Sequence, residues 1–528
     1  MDSKEERLDI VEAPDEYSTP KGSTLPWWQQ TGLRNLYGMM VFLFLGSTTL
    51  GYDGSLLNGL QTMNTWQTYF DEPTGSRLGI FGAIPGFGGL FVLLFAPYIA
   101  DGLGRKKGTA IGCAFVIFGS LLQCFPRQGD GPRRDAMYLA GRFIMGLGSN
   151  ISNGTCPLLI TEVAHPRHRG RVTTIYNTLW YLGAIVAAWT CFGTLKLAGD
   201  IQWRLPTGLQ CLMPGIQLIT IWFLPESPRW LISKSREEEA RQILVKYHGN
   251  GDDDDFVRWE YAEIVNTLQM ERELSGTGWA ELWRTKGNRK RCALIIATAI
   301  FSQCSGNGLV SYYLAAILRT IGITDSTTQA YINGGLTIWC FLVSLFAAFL
   351  VDRVGRRILF LIAGVGMLIT FSVWTACSAV YAKTESASAG IAVVAMIFLF
   401  YGAAGAAWPG LTVSYTVEIL PYNIRAKGLT LCFCFTALSG VFNQWVNPLG
   451  LEELEWRFYF VYIAVLVIEC LVIYFFFVET RGPTLEEIAV LFDGEDSAAG
   501  AARFQAQEKV MSSAEQHEYA GQNPTGRD

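Results

Sequence analysis

The apolar positions of the chain form long runs that are separated by short clusters of charged residues. Ten runs carry no charge at all: 78–100, 108–126, 143–161, 172–195, 205–225, 292–318, 326–351, 358–382, 386–417 and 428–451. Two more hold one acid each: a span around Asp53, which opens with the uncharged run 35–52, and a last one at 458–478, which contains Glu469. A helix needs about 20 apolar residues to cross the hydrocarbon core of a bilayer, so the pattern predicts twelve membrane-spanning helices.

These runs lack the apolar–polar alternation of barrel strands, so α-helices are the only form in which they can span a membrane. Of all residues, 50% are hydrophobic and only 16% are charged, which excludes an ordinary soluble protein. The twelve cysteines fall mainly inside apolar runs, which indicates packing rather than a disulfide framework. We therefore expect an all-α polytopic membrane protein that contacts the lipid bilayer and binds no nucleic acid.

The two halves of the chain repeat one another. "ADGLGRKK" at 100–107 matches "VDRVGRR" at 351–357, and "EVAHPRHRGR" at 162–171 matches "EILPYNIRAKG" at 418–428. A third pair, "PESPR" and "VETRG", follows in the same order at a similar separation. This predicts a duplicated six-helix unit. The expected parts are a tail at 1–34, a six-helix domain at 35–225, a linker at 226–291, a second six-helix domain at 292–480 and a tail at 481–528.

Basic residues concentrate in the loops on one side of the predicted bundle. Six spans per half place both tails and the linker on that side, which the positive-inside rule assigns to the cytosol. The residues concerned are Arg105, Lys106, Lys107, Arg167, Arg169, Arg171, Arg353, Arg356, Arg357, Arg425 and Lys427. The linker is expected to hold short helices under the bundle, with "GDDDD" as a solvated loop. His165 and His168 lie among arginines and are expected to be solvated loop residues.

Several long motifs appear in a fixed order. They are the paired Asp-x-x-Gly-Arg-Arg/Lys loops at Asp101 and Asp352, "GRFIMGLG" at 141–148, the segment from Glu162 to Gly170, "PESPRWL" at 225–231, "VEILPYNIRAKG" at 417–428 and "VETRGPTLEEI" at 478–488. On these motifs the sequence resembles the sugar porter family of the major facilitator superfamily over residues 35–493. "YNTLWYLGAIVAAW" and "QCSGNGLVSYY" look most like its fungal lactose permease and cellodextrin transporter branch. The resemblance implies two six-helix domains that rock about a central sugar site.

The charged loop motifs are candidate gating elements. Glycine lets helix ends approach closely, and the acids and bases can pair across the domain seam when the cytosolic side closes. The alternative is that the charges only set the topology. The candidate gating residues are Asp101, Arg105, Glu162, Arg169, Glu226, Arg229, Asp352, Arg356, Arg357, Glu418, Arg425 and Glu479.

Three ionisable residues, Asp53, Arg142 and Glu469, lie inside predicted spans. Each costs about 2.5–3.5 kcal/mol on insertion scales and needs a partner or a watery cavity. The resemblance implies that Asp53 takes a proton from outside and that Arg142 is its partner, so protonation would loosen the pair. The alternative for Asp53 is a polar contact at the glycine-flanked bend "GYDG". For Glu469 we expect a hydrogen bond to a neighbouring helix.

A sugar site needs amides and hydroxyls for the sugar hydroxyls and aromatic faces for the ring. Gln303, Asn307 and Ser311 are spaced i, i+4, i+8 on one face of the seventh span, with a break expected at Gly306. The alternative is interhelical bonding by buried amides. In the fifth span Asn177 stands where many hexose carriers have glutamine, with Trp180 and Tyr181 one turn further.

Other site positions depart from the hexose carriers that the sequence resembles. Val413 stands at the position of their site tryptophan, and Thr436 and Ala437 replace the polar pair of the eleventh span. Ser302 and Gly308 replace two amides of the seventh span. These changes favour a wider pocket for a disaccharide or a polyol, with Asn443 as a further candidate contact.

The preferred function is proton-coupled symport of a sugar, a hexose or a disaccharide such as lactose or cellobiose, across a fungal plasma membrane. The proton is the only coupling ion, and no other cofactor or metal site is expected. We expect a monomer and no enzyme activity. The alternatives are a carrier for a polyol, an organic acid or a secondary metabolite, and a sugar sensor that does not transport.

Overall fold

The computed structural model describes residues 25–93, 95–126, 131–274, 278–481 and 491–492. Within these ranges the chain forms α-helices and two short 3-10 helices, and it contains no strand. The N-terminal half contains α1 (Thr31–Leu60), α2 (Asn64–Tyr69), α3 (Gly75–Leu93), α4 (Ala96–Leu103), α5 (Arg105–Cys124), α6 (Gly131–Val163), α7 (Arg169–Thr194), α8 (Ile201–Leu209), α9 (Leu212–Thr220) and a 3-10 turn at Ile221–Phe223. Two of its six spans consist of two helices each, α3 with α4 and α8 with α9.

The linker forms α10 (Pro228–Ser233), α11 (Glu237–Tyr247), α12 (Asp255–Leu274) and α13 (Glu281–Arg284). The C-terminal half contains α14 (Lys286–Cys304), α15 (Asn307–Thr320), α16 (Ser326–Val354), α17 (Arg356–Thr384), α18 (Ala387–Gly405), α19 (Trp408–Ile419), α20 (Tyr422–Leu454), a 3-10 turn at Glu455–Phe458 and α21 (Tyr459–Phe476). The seventh span is α14 with α15, and the tenth is α18 with α19. The break expected at Gly306 is present, since this glycine adopts a φ of 95° between α14 and α15.

Nine helical stretches of the described residues are long and apolar enough to cross a membrane. One of these stretches, Ile424–Phe476, contains both α20 and α21. Together with α6 and the α8–α9 pair, the helices make up twelve spans. The twelve cysteines, all within the described ranges, are free, as the packing interpretation predicted.

His165 is buried against the linker, so the expectation that it is a solvated loop residue was wrong. The His165 ring stacks on Phe256 of α12 with a centroid distance of 4.8 Å. His248 Nδ1 lies 2.7 Å from Glu260 Oε2, and its Nε2 lies 3.1 Å from the Val163 carbonyl oxygen. Burial and the neighbouring cationic side chains lower the pKa of His165 to about 3. The linker therefore docks on the end of α6.

Glycines set the closest helix crossings of the N-terminal half. A Cβ added to Gly51 would lie 1.8 Å from the Trp180 carbonyl oxygen, and one added to Gly183 would lie 1.9 Å from that of Thr48. The backbones of α1 and α7 thus touch where only hydrogen atoms fit between them. This contact fixes the position of Asp53, which lies two residues after Gly51.

Gly183→Ala is expected to destabilise the protein by about 1–3 kcal/mol or more, because a backbone carbonyl cannot move aside as a side chain can. The measurement is the thermal midpoint of the purified protein in detergent. Gly193→Ala, in the same helix, is the matched control, since a Cβ at Gly193 meets nothing within 4 Å. Equal midpoints for the two variants would contradict this assignment of the crossing.

Candidate functional site

The two halves of the bundle are joined by hydrogen bonds on the face opposite the linker. Asn58 of α1 donates from Nδ2 to Asn333 Oδ1 at 3.0 Å, and its Oδ1 accepts from the Leu314 N–H at 3.1 Å. Gln61 donates to the Tyr312 carbonyl at 2.7 Å. These contacts connect α1 to α15 and α16, and they close the seam on this face.

On the linker face, the ion pairs found among the described residues of the repeated loops each lie within one half. Arg105 contacts Glu162 at 2.9 Å and Asp101 at 3.2 Å in the N-terminal half. Arg356 contacts Glu418 at 3.1 Å in the C-terminal half. The sequence analysis expected such charges to pair across the seam when this face is closed. In this conformation the seam is closed on the opposite face, and the acids bind basic partners in their own half.

The repeated loops have the same geometry in both halves. Glu226 accepts from the Lys106 N–H at 3.3 Å at the start of α5, and Glu479 accepts from the Arg356 and Arg357 N–H groups at 2.8 and 3.1 Å at the start of α17. A carboxylate at a helix N-terminus satisfies amides that have no helical partner. The duplication seen in the sequence therefore extends to the hydrogen bonds of these loops.

A glycine in each of these loops lets the glutamate carboxylate approach the backbone closely. Gly104 and Gly355 have φ values of 96° and 103°, and a Cβ would lie 2.6 Å from Glu226 Oε2 or 2.8 Å from Glu479 Oε2. Burial raises the pKa of Glu226, and the backbone donors oppose that shift.

The other candidate gating side chains occupy varied positions. Arg169 is exposed, Arg229 is half-buried, and Arg425 lies 3.3 Å from the Leu420 carbonyl oxygen. The Asp352 side chain lies outside the described residues.

Asp53 lies in the interior of the N-terminal half, 6% exposed. Its Oδ2 accepts from Ser149 Oγ of α6 at 3.2 Å, and its Oδ1 accepts from Gln210 Nε2 at 3.0 Å. Gln210 is the first of the two residues between α8 and α9, at the break of the sixth span. Both donors are neutral. The carboxyl group therefore has polar partners on two other spans.

Arg142 is buried in α6 two turns before Ser149. Its Nε donates to the Phe81 carbonyl oxygen at 2.6 Å, and its guanidinium carbon lies 5.9 Å from the centre of the Tyr138 ring. Its Nη1 has no hydrogen-bond partner among the described residues. In the part of the chain that the structure describes, no ion pair within 4 Å joins Asp53 to Arg142. The direct contact expected from the sequence is not made in this conformation.

The polar stripe of the seventh span meets an unpredicted tyrosine. The Tyr401 hydroxyl of α18 lies 2.6 Å from Ser311 Oγ and donates to the Asn307 carbonyl oxygen at 2.6 Å. Asn307 Nδ2 donates back to the Ser302 carbonyl at 2.8 Å, across the break. Gln303 is half-buried on the other side of that break. The face on which these residues were expected is thus interrupted at the predicted break, and Tyr401 joins its second part.

The aromatic pair of the fifth span lies near Gly54, the residue that follows Asp53. The Trp180 ring is 39% exposed and lies 3.8 Å from where a Cβ of Gly54 would be. Tyr181 packs against Trp180 with ring centroids 5.2 Å apart and faces Phe341 of the other half at 6.3 Å. Asn177 is exposed one turn earlier. Tyr181 therefore lies at the seam with the second half, and Trp180 lies next to it on α7.

Asn443 was a candidate substrate contact, and the structure places it in a buried network between helices. It is 3% exposed, and its Nδ2 donates to the Gln303 carbonyl oxygen at 2.7 Å. Its Oδ1 accepts from Asn447, whose own Oδ1 accepts from Tyr462. Both ends of the amide are occupied, so we assign Asn443 to the packing of α14, α20 and α21 and not to a solute.

The family model described as "Sugar (and other) transporter" matches residues 39–492. The chain belongs to this family. The MFS-type transporter criB of Aspergillus cristatus is 30% identical over 458 residues, which cover 86% of this chain and 92% of that protein. The high-affinity glucose transporter of Kluyveromyces lactis is 26% identical over 486 residues, with 86% and 84% covered. The protein is thus a multi-pass membrane protein with transporters among its relatives.

Solved structures give the fold. The inward-open conformation of the xylose transporter XylE from E. coli matches with a TM-score of 0.72 at 20% identity, covering 87% of this chain and 100% of that one. This confirms the predicted major facilitator fold of twelve helices.

Sequence reasoning missed three polar residues of this sugar transporter family member: Ser149, Gln210 and Tyr401. Gln210 and Asp53 are 157 residues apart in the chain, and Tyr401 and Ser311 are 90 apart. The only feature of the sequence that could have indicated Gln210 and Tyr401 is a polar side chain inside an uncharged run. Many residues that serve only in packing have the same feature.

Tyr401→Phe is expected to raise the KM for the transported solute about threefold to tenfold. The variant loses the hydroxyl that holds Ser311 and the Asn307 carbonyl, and a net hydrogen bond contributes about 0.5–1.5 kcal/mol. Tyr98→Phe is the matched control, because Tyr98 is 78% exposed. Initial uptake rates over a range of solute concentrations measure the effect. An unchanged KM in Tyr401→Phe would place Tyr401 outside the solute path.

Proposed function

We propose that the protein is a proton-coupled symporter that carries a sugar, a hexose or a disaccharide such as lactose or cellobiose, by alternating access. The single observation that carries this proposal is the buried Asp53 carboxyl group, which is bonded to two neutral donors. The exposed Trp180 ring lies beside Gly54, the next residue in the chain. A carboxyl group in this position can exchange a proton and can respond to a solute next to it.

The proton step follows from the partners of Asp53. Desolvation favours the neutral acid, whereas a nearby guanidinium favours the anion. In this conformation Arg142 is held by the Phe81 carbonyl, and Asp53 is held by Ser149 and Gln210. If Asp53 approaches Arg142 when the two halves are in the opposite, outward-facing orientation, the guanidinium favours the ionised form of Asp53. Protonation of Asp53 from outside then loosens the pair and permits the inward turn.

The closed seam supports an inward-facing state, in which the linker face is open to the solute. Hydrogen bonds of Asn58 and Gln61 hold the extracellular face together. The gating pairs Arg105–Glu162 and Arg356–Glu418 are satisfied within their halves in this state. We propose that the same charged loops meet across the seam when the cytosolic side closes, so that they bias a two-state equilibrium.

The solute site is proposed between Trp180 and Tyr181 on one side and Ser311 and Tyr401 on the other. An aromatic face suits the C–H surface of a sugar ring, and the hydroxyls suit its polar edge. Trp180 also packs beside Gly54, next to Asp53 in the chain. Contact of a solute with this ring would therefore be felt at the proton site.

We place the protein in the plasma membrane as a monomer, with both termini and the linker in the cytosol, since the basic loops lie on the linker side. The domain limits proposed are 35–225 and 292–480, with the linker between them. Transport, rather than enzyme chemistry, is the activity proposed for this architecture.

A second candidate is a carrier for a polyol, an organic acid or a secondary metabolite. The observation that favours it is Val413, which is 43% exposed where the resemblance to hexose carriers leads one to expect a tryptophan. In that case the proton site is retained and the solute differs.

The test is uptake of radiolabelled lactose, cellobiose and glucose in a yeast that lacks its own sugar carriers, at several external pH values, with and without an uncoupler. The wild type is expected to accumulate one of these sugars above its external concentration, because each proton gains about 2.3 kcal/mol per 100 mV of membrane potential. Asp53→Asn is expected to lower the accumulation ratio to about 1 while sugar exchange continues.

Asp255→Asn, an exposed acid in α12, is the matched control and should accumulate the sugar like the wild type. Accumulation that survives in Asp53→Asn would refute the proton-coupling role of Asp53. No uptake of any sugar, with uptake of a polyol or organic acid, would replace the first candidate by the second; no uptake of any solute would favour a sensor.

A further inference from the structure

Glu469 is a second acid inside the membrane-spanning bundle, and the proton mechanism above does not use it. It lies in α21 and is fully buried, with 0% exposure. Its Oε2 bonds to the Ser305 hydroxyl, and its Oε1 has no hydrogen-bond partner among the described residues. The Trp408 side chain, at the start of α19, faces the same carboxyl group.

The two contacts of the Ser305 hydroxyl indicate whether Glu469 carries a proton. Ser305 Oγ contacts two oxygens, the Phe301 carbonyl oxygen and Glu469 Oε2. A hydroxyl has one hydrogen to donate, and a carbonyl oxygen can only accept. If the Ser305 hydrogen goes to Phe301, the second short contact needs a hydrogen from the carboxyl group. That hydrogen exists only when Glu469 is a neutral acid.

The surroundings agree with a neutral acid. An ionised carboxylate away from water needs a cation or several donors, because its desolvation is costly. In the described part of the chain no Lys, Arg or His lies within 4 Å of Glu469. The groups that face it are Ser305 from the end of α14, Gly364 from α17 and Trp408 from α19, with Cys470 beside it on its own helix.

The position of Ser305 in the chain indicates what the hydrogen bond from Glu469 does. Ser305 is the last residue before Gly306, whose left-handed conformation separates α14 from α15. Gln303 precedes this break by three residues and Asn307 follows it by one. A bond from α21 to Ser305 therefore fixes the point where the seventh span bends. Trp408 marks the corresponding break of the tenth span, between α18 and α19.

We propose that Glu469 is a permanently protonated carboxylic acid that donates to Ser305 and so positions the broken seventh span. It is a positioning residue and does not carry the transported proton. The positional part of this inference rests on the proposed function, whereas the protonation state does not.

The protonation state is tested by infrared difference spectroscopy of the purified protein at neutral pH, wild type minus Glu469→Gln. The expected result is a carbonyl band of a protonated carboxylic acid. Glu453→Gln, an exposed acid in α20, is the matched control and should instead show loss of carboxylate bands. Carboxylate bands in the Glu469→Gln difference would overturn the proposal, whatever the protein transports.

The positioning role is tested by sugar exchange at equal pH on both sides, where no proton gradient contributes. Glu469→Ala and Ser305→Ala are each expected to raise the exchange KM by roughly tenfold, since each removes one partner of a buried hydrogen bond. Glu469→Gln keeps a donor and should restore the wild-type KM. A Gln variant as impaired as the Ala variant, while both remain monodisperse, would show that the acid itself is needed and would overturn the positioning role.

Discussion

A carboxyl group can stay inside a membrane-spanning bundle only where polar groups replace water or where a proton removes its charge. Asp53 meets the first condition with Ser149 and Gln210, which come from two different spans. Glu469 has one partner, Ser305, and meets the second. We assign different roles to the two acids because their partners differ. Asp53, with two hydrogen-bond donors, exchanges its proton, and Glu469, with one partner, keeps its proton.

The close crossing of α1 and α7 helps to keep Asp53 inside the bundle, next to its polar partners. Gly51 and Gly183 let two backbones touch, which holds Asp53 at depth and brings the Trp180 ring beside Gly54. On the linker face, Glu226 and Glu479 of the duplicated loops cap the helices that begin at Arg105 and Arg356. In the proposed cycle, the ion pairs of Arg105 and Arg356 change partners while these caps stay in place.

The sequence was sufficient for the spans, the duplication and the family, because long uncharged runs and repeated charged loops are local patterns. The break at Gly306 was also predictable, since glycine in a span permits a left-handed residue. The partners of the polar side chains were not predictable. Gln210 reaches Asp53 across 157 residues, and Arg105 bonds to Glu162 of its own half, 57 residues further along the chain. His165 is buried because the linker docks over it, which no local pattern indicates.

The central claim is that solute and proton enter together through the site at Asp53. The most direct measurement uses purified protein in weakly buffered liposomes, with the membrane potential held at zero and a pH indicator outside. Addition of the transported sugar should raise the external pH as the sugar enters, with an initial rate that follows the sugar concentration. Entry of labelled sugar with no change in external pH would contradict the account.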